Sequence, residues 1–152
     1  MFLNSLGVYY AKSVIFSSAS TQTYEQRDYM KSPCVHHKCI QCCLETEMPL
    51  SKKDLEQIKR LGFNYNYFVV NKDGWLQLKN YNGRCVFNDG NQCTIYENRP
   101  EGCKLYPIIY DEDKNCALLD KDCPHRDEFK ILKLDIVTLI SLIRKLDYEK
   151  KN

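Results

Sequence analysis

Cysteine is the residue that most constrains this chain, because nine cysteines occur in 152 residues. The densest run holds Cys34, Cys39, Cys42 and Cys43 within ten positions. Adjacent cysteines such as Cys42 and Cys43 almost never form a disulfide with each other, since disulfide geometry requires Cα atoms about 5.5 Å apart on diverging chains. Four thiols in one short run suit a metal ion or an iron–sulfur cluster better. The sequence therefore predicts a metal-binding protein.

The cysteines also indicate a reducing compartment. Three features argue against a secreted disulfide scaffold. The cysteine count is odd, two cysteines are adjacent, and no basic segment of a signal peptide precedes the apolar residues that begin at Phe2. We therefore expect a cytoplasmic protein. The most apolar stretch, near the C-terminus, contains Lys133, Asp135 and Arg144 and is too charged to cross a membrane. A net charge of +2 favours neither nucleic acid nor an anionic membrane as a partner.

The composition predicts one metal-binding domain with additions at both ends. Residues 1–29 lack cysteine and contain a Ser/Thr stretch, so we expect a disordered or non-native extension, with Met30 as an alternative to Met1 for the start of translation. Residues 30–126 are expected to form a zinc- or iron-chelating cysteine cluster domain. Residues 127–152 are expected to form a C-terminal helix that packs on this domain and ends in a polar tail.

Local sequence signals predict a small α+β domain with short strands. Ser51 and Asp54 resemble a capping box at the start of a helix in the N-terminal half, and Gly62 is suited to end that helix. Asp73-Gly74 and Asn82-Gly83 are turn signals between short strands. Metal sites are expected to replace part of the hydrophobic core, as they do in many small domains.

The last third of the chain predicts a hairpin and a long helix. Residues 108–110 and 116–119 are expected to pair, with Cys116 as a buried free thiol inside the second strand. The helix is expected from Asp127 to Lys145, because its first turn is acidic and its last turn is basic. Such a helix is either largely buried or packs on a partner. Its predicted apolar stripe comprises Phe129, Leu132, Ile136, Leu139, Ile140 and Ile143.

The remaining eight cysteines are the candidate metal ligands: Cys34, Cys39, Cys42, Cys43, Cys85, Cys93, Cys103 and Cys123. Eight thiolates make two sites of four ligands, or one cluster with additional supporting or redox thiols. The spacing of Cys39 and Cys42 presents two sulfurs to one ion. Cys43 points elsewhere from the same loop, so this loop is suited to bridging two sites.

Other residues near the cysteines are candidates for supporting roles. His36 and His37 have two interpretations. As ligands they would favour zinc or a mixed iron–sulfur site, and as loop residues they would lie near the metal without binding it. His125 has the same two interpretations. Arg99 is a candidate for neutralising a cluster or binding an anionic group, or for a structural ion pair. Tyr106 is a candidate for donating a hydrogen bond to a cluster sulfur, or for packing.

The ordered set of motifs resembles the CxxCxxCC family of zinc- or iron-chelating domains, also called YkgJ-like cysteine cluster proteins, and most of all its short archaeal members. In two places the chain departs from the family pattern. The first cysteine, Cys34, lies two residues before the expected position, which is His36 here, and Lys104 replaces an arginine. The resemblance covers about residues 34–128 and rests on the segments 39–43, 50–54, 74–78, 85–87, 93–96, 99–107 and 123–124.

The resemblance implies metal chelation rather than a particular reaction. The leading interpretation is a protein that holds an iron–sulfur cluster, expected to be 4Fe–4S, or zinc through its clustered cysteines. One alternative is a structural-zinc module whose protein partner binds the C-terminal helix. The other is an S-adenosylmethionine-dependent protein lysine N-methylase-like enzyme, because the same cysteine cluster occurs in the much longer flagellin lysine N-methylases.

Overall fold

The computed structural model describes residues 32–151. The predicted extension over residues 1–29 and the alternative start at Met30 lie outside the described residues. Within the described range, α-helices and short antiparallel strand pairs alternate along the chain, which confirms the predicted α+β fold. No helix in this range is both long and apolar enough to span a membrane.

The helices and strands are short except at the C-terminus. Three 3-10 turns, Gln41–Cys43, Tyr96–Asn98 and Arg126–Glu128, lie between them. Strand β1 pairs with β2, β3 with β4 and β5 with β6, so every strand pair is an antiparallel hairpin between neighbours in the chain. The elements are α1 (Pro33–His36), α2 (Lys52–Arg60), α3 (Tyr65–Phe68), β1 (Val69–Lys72), β2 (Trp75–Leu78), β3 (Asn80–Tyr81), β4 (Arg84–Cys85), α4 (Glu101–Leu105), β5 (Ile108–Asp111), β6 (Cys116–Leu119) and α5 (Lys133–Lys151).

The predicted capping box at the start of α2 is confirmed. The Asp54 backbone N–H donates to Ser51 Oγ at 3.2 Å, and the Ser51 backbone N–H donates to Asp54 Oδ2 at 3.0 Å. Both residues are buried. The second carboxylate oxygen, Asp54 Oδ1, accepts from the backbone N–H of Glu101 at 2.9 Å. One carboxylate therefore satisfies free N–H groups at the first turns of both α2 and α4.

Two separate hydrophobic cores stabilise the domain, and α4 lies between them. The second core packs α5 against α4 and the β5–β6 hairpin, and its buried residues are Leu105, Ile108, Leu139, Leu142 and Leu146. On α4, Leu105 belongs to the second core, whereas Cys103 packs against the first. The first core consists of Leu50, Leu55, Ile58, Phe68, Val69, Leu78, Cys85, Phe87 and Ile95.

The predicted start of the C-terminal helix at Asp127 is wrong, because α5 begins at Lys133. The acidic residue that favours its first turn is Asp135, which is buried and accepts from the Leu132 backbone N–H at 2.8 Å. This contact is the same as that of an N3 carboxylate in a capping box. Asp127 lies instead in the preceding 3-10 turn, and α5 continues past the predicted end to Lys151.

The predicted apolar stripe of this helix is confirmed only in part, because Leu139 belongs to the second core and Ile143 packs against it. Of its six residues only Leu139 is buried, and Leu132 is 55% exposed. The face that packs on the second core instead comprises Asp135, Leu139, Leu142 and Leu146, at helical spacing. On other sides of the helix Leu134, Val137 and Tyr148 are exposed.

The prediction that Cys116 is a buried thiol is wrong, because this residue is exposed. Cys116 is the first residue of β6 and lies opposite Asp111 in the hairpin. Successive side chains of a strand point to opposite faces. Ala117 and Leu119 pack against the second core, so the alternation leaves Cys116 on the other face of a hairpin of only two strands.

Candidate metal centre

The structure gathers eight of the nine cysteines around one side of the domain, and all nine are free thiols. Cys34 lies in α1, Cys85 in β4 and Cys103 in α4. An open cavity of about 1800 Å³ is bordered by all the grouped cysteines except Cys123. Cys116 and Cys123 do not border this cavity.

Four cysteines form an inner group against the first hydrophobic core: Cys43, Cys85, Cys93 and Cys103. Cys85 is part of that core, and the other three pack on it. Every pair in the group is close enough for the charge of one thiolate to raise the pKa of another. Segments as distant in sequence as the 3-10 turn Gln41–Cys43 and helix α4 therefore bring their thiols together here.

The other four form an outer group: Cys34, Cys39, Cys42 and Cys123. Cys34 is close enough to Cys39 and Cys123 for their charges to raise its pKa, and Cys39 likewise raises the pKa of Cys123. Cys42 lies close to both groups, because Cys43 and Cys103 of the inner group and then Cys34 of the outer group raise its pKa. This group joins the N-terminal cysteine run to a loop about eighty residues away, close to the start of the 3-10 turn Arg126–Glu128.

The adjacent residues Cys42 and Cys43 connect the two groups. A hydrogen bond between their side chains raises the pKa of the Cys42 thiol and lowers the pKa of the Cys43 thiol to about 7. Cys42 therefore carries the proton of the pair, and Cys43 carries the developing negative charge. Cys43 belongs to the inner group, and Cys42 is close to Cys103 of that group as well as to Cys34 of the outer one, so this pair lies where the two groups meet. Bridging of two sites by this loop stays a prediction.

Backbone N–H groups point at three of the sulfurs with the same spacing. The N–H of Phe87 donates to Cys85, that of Ile95 donates to Cys93 and that of His125 donates to Cys123. Each donor lies two residues after its cysteine. Because an N–H donor stabilises a thiolate more than a thiol, each contact lowers the pKa of its cysteine and fixes the direction of the sulfur.

Burial opposes this effect and keeps the metal-free thiols protonated. Burial is the largest influence on Cys85, and it raises the pKa of that thiol to about 12. It also raises the pKa of Cys103 well above its ordinary value. Four partly buried sulfurs repel one another when they are thiolates. A bound cation would offset this repulsion with its positive charge. The donor set of each group therefore suits a thiolate-bound metal.

Asn88 provides an independent observation that the inner group suits a more negative sulfur. Its Oδ1 accepts from the Gly90 backbone N–H at 2.9 Å, which fixes the orientation of the amide. Its Nδ2 is buried and lacks a well-formed hydrogen bond. The same side chain lies beside Cys43 and lowers the pKa of that thiol. A metal-bound thiolate at Cys43 would give this N–H group a strong acceptor.

The spacing of the sulfurs distinguishes between kinds of metal site. A tetrahedral zinc ion with Zn–S bonds of about 2.3 Å holds its four sulfurs about 3.8 Å apart. Among residues 32–151, no three cysteine sulfurs all lie within 4.8 Å of one another. The sulfurs of both groups therefore lie farther apart than those of a tetrahedral zinc site.

Arg99 lies between the two groups. Its Nη1 donates to the Tyr96 carbonyl oxygen at 2.6 Å, and its guanidinium lies 3.8 Å from the centroid of the Tyr96 ring. Its positive charge lowers the pKa of Cys34 in the outer group and of Cys43 and Cys93 in the inner group. One guanidinium therefore offsets negative charge on thiolates of both groups. Neutralisation of a bound cluster by Arg99 stays a prediction.

Tyr106, the second residue predicted beside a cofactor, lies next to the outer group. Burial, the negative charges of Asp120 and Cys123 and a hydrogen bond with Asp120 raise the pKa of its hydroxyl. Cys42 adds to the same effect. The hydroxyl therefore stays protonated, and its single O–H is directed at Asp120 at the edge of the outer group. Donation to a cluster sulfur stays a prediction.

A family model described as "Putative zinc- or iron-chelating domain" matches residues 33–124. The chain belongs to the CxxCxxCC family. No curated protein and no solved structure matches the chain. The CxxCxxCC match includes all eight grouped cysteines and ends one residue after Cys123, so the grouped thiols lie within the segment that defines a zinc- or iron-chelating domain.

The histidines lie at the edge of the outer group, in and beyond the CxxCxxCC segment. His36 is exposed, and its ring meets the edge of the His37 ring at 4.9 Å between centroids. His37 Nε2 lies 2.7 Å from Glu128 Oε1, and His125 Nδ1 lies 3.6 Å from the same oxygen. The structure thus brings together two of the three histidines that the sequence left ambiguous.

Sequence reasoning missed two residues of this region, Asn88 and Glu128. The only sequence signal for Glu128 is its position three residues after His125, which is one turn of helix. No local signal identifies Asn88, because its contact with Cys43 depends on packing between segments that are distant in sequence.

Proposed function

We propose that this protein is an iron–sulfur protein in which the inner and outer groups each bind one cluster of the 4Fe–4S type. The observation that carries the proposal is the arrangement of the sulfurs. Eight thiols fall into two groups of four, and both groups are more open than a tetrahedral zinc site. The family description, zinc- or iron-chelating, is compatible with iron.

The surroundings of the thiols support the same proposal. Backbone N–H groups, the Asn88 amide and the Arg99 guanidinium all favour negative charge on sulfur. Hydrogen bonds to sulfur and nearby charge are the features by which proteins adjust the reduction potential of a cluster. Because Cys42 and Cys43 are adjacent in sequence, the two clusters would be close neighbours, which suits one-electron transfer between them.

The proposed compartment is the reducing cytoplasm, where eight thiols stay available for cluster assembly. A protein partner that docks on α5 stays a prediction. The exposed side chains Leu134, Val137 and Tyr148 are the part of that helix on which we would expect such a partner to bind.

The first test is anaerobic purification of the full chain, followed by a visible absorption spectrum and by iron, zinc and sulfide analysis. Two clusters predict brown protein with about eight irons and eight sulfides per chain, and loss of colour on oxidation. Colourless protein with one or two zincs and no sulfide would reject the proposal. That result would leave the alternative of a structural-zinc module.

A further inference from the structure

A cluster of three side chains outside the cysteine groups has the composition of a metal site. Among residues 32–151, His37, His125 and Glu128 are the only three histidine, cysteine, aspartate or glutamate side chains whose ligand atoms all lie within 4.8 Å of one another. They come from two segments that are about ninety residues apart in sequence. None of the three is one of the eight cysteines that make up the inner and outer groups.

The distances within this cluster are close to those of a coordination sphere. Metal–ligand bonds of about 2.0–2.2 Å place neighbouring nitrogen and oxygen ligands about 3.3–3.6 Å apart around a tetrahedral ion. The distance from Glu128 Oε1 to His125 Nδ1, 3.6 Å, lies at the upper end of that range, and the distance to His37 Nε2, 2.7 Å, lies below it. A small movement of the glutamate would make the two distances equal.

The two histidine rings require one further adjustment. They are stacked with centroids 4.0 Å apart and planes only 1° from parallel, so their nitrogens point side by side rather than at one point. Rotation of one ring about χ2 would direct both nitrogens at the same ion, and this torsion is broad for histidine. The side chains of His37 and His125 are 33% and 25% exposed, which leaves room for the rotation.

The cysteine groups hold the two segments of this site together. His37 lies two residues before Cys39, and the backbone N–H of His125 donates to the sulfur of Cys123. Both cysteines belong to the outer group. Glu128 is fixed relative to His125, because its backbone N–H donates to the His125 carbonyl oxygen at 3.0 Å in the 3-10 turn Arg126–Glu128.

We infer that His37, His125 and Glu128 form a separate site for a divalent transition-metal ion of the zinc or ferrous type. Two imidazole nitrogens and one carboxylate are a ligand set that both ions use, with at least one position left for water or a substrate. Glu128 also borders the cavity of the cysteine groups, so the open position would be close to them. The site is independent of whether the cysteine groups hold iron–sulfur clusters or zinc.

The test is a cobalt(II) titration of the full chain as purified, with its cysteine groups loaded, followed by visible spectroscopy and calorimetry. Cobalt bound by nitrogen and oxygen gives weak visible bands, whereas cobalt bound by cysteine gives intense sulfur-to-metal bands. The variants are Glu128→Gln, which is nearly isosteric, and His125→Ala. The matched control is His36→Ala, because His36 contacts the His37 ring but has no contact with Glu128 in the structure.

The inference predicts one equivalent of cobalt with weak bands in the wild type and in His36→Ala. It predicts a loss of affinity of at least about tenfold in Glu128→Gln and His125→Ala, the smallest effect typical of residues that support a metal ligand. Unchanged cluster or zinc content in Glu128→Gln would show that this variant is folded. The inference would be overturned if the wild type bound no cobalt with weak visible bands. It would also be overturned if folded Glu128→Gln bound cobalt with the same affinity as the wild type.

Discussion

At the scale of single residues, two opposing effects set the pKa of each thiol. Burial raises the pKa and favours the protonated form, whereas hydrogen-bond donors and positive charge lower it and favour the thiolate. Cys85 illustrates the first effect, since burial raises its thiol pKa to about 12 despite the N–H of Phe87. Cys43 illustrates the second, because Cys42, Asn88 and Arg99 lower its pKa to about 7. Metal binding must displace the protons that burial retains, so metal affinity should increase with pH.

The raised pKa values predict how the stability of metal-free protein depends on pH. The ordinary pKa of these thiols is 9.0, and the folded value for Cys85 is about 12. Between these values the unfolded chain loses its proton first, so the free energy of unfolding should fall as pH rises from 9 to 12. Cys34, Cys93 and Cys103 act in the same direction. Urea unfolding of reduced, metal-free protein at several pH values measures this effect.

Cys43 acts in the opposite direction over a lower range of pH. Its folded pKa of about 7 is below 9.0, so its contribution to stability is present above pH 9 and is lost as pH falls through 7. Metal-free protein should therefore be most stable near pH 9. Metal-loaded protein provides the control, because bound thiolates do not titrate in this range. Equal alkaline destabilisation of both forms would contradict the prediction.

Arg99 gives a second prediction at the residue scale. Its positive charge acts on both groups, so its removal in Arg99→Gln should make the clusters harder to reduce and shift their reduction potentials to more negative values. Arg99→Lys keeps the charge and should show a smaller shift. Redox titration followed by visible absorbance measures both variants. A potential in Arg99→Gln that equals the wild type would show that Arg99 is only structural.

At the scale of elements, short helices with shared caps position the thiols. Helix α4 has only five residues and could not hold Cys103 in place alone, because helices this short are unstable in isolation. Its first turn is attached to α2 through Asp54 and its end packs in the second core through Leu105. Helix α5 supports the opposite side of α4 through the same core.

Replacement of Asp54 should therefore affect both stability and the site. Asp54→Ala removes acceptors from the buried Ser51 and from the Glu101 N–H, and should destabilise the protein by about 1–3 kcal/mol. Cluster retention should fall with it, since α4 holds Cys103. Glu56→Gln is the matched control on the same helix, because its carboxylate makes only an exposed ion pair with Lys59, and it should change stability by less than about 0.5 kcal/mol.

Helix α5 gives a prediction about packing alone. Leu142 is buried in the second core, so Leu142→Ala should cost about 2–5 kcal/mol in urea unfolding. Val137 lies on the same helix and is 63% exposed, so Val137→Ala should cost less than about 0.5 kcal/mol. If the two substitutions were equally destabilising, α5 would be buried on a different face from the one described above.

At the scale of the whole molecule, the sequence predicted the structural features that depend on residues close together in the chain. It did not predict the features that depend on contacts between distant segments. The capping box of α2 and the three hairpins follow from local signals. The start of α5 was wrong because two acidic segments compete for the first turn, and packing on the second core selects Asp135. The sequence allowed two groups of four but could not predict which cysteines lie together, because this depends on contacts between loops as distant as those of Cys39 and Cys123.

The central claim is that two groups of four cysteines each hold one cluster. The most direct measurement is the iron and sulfide content of Cys93→Ser, from the inner group, and Cys123→Ser, from the outer group, purified anaerobically beside the wild type. The exposed Cys116→Ser is the matched control. The account predicts full content in Cys116→Ser and about half in each of the other variants. Full content in Cys93→Ser or in Cys123→Ser would contradict this claim, and so would depleted content in Cys116→Ser.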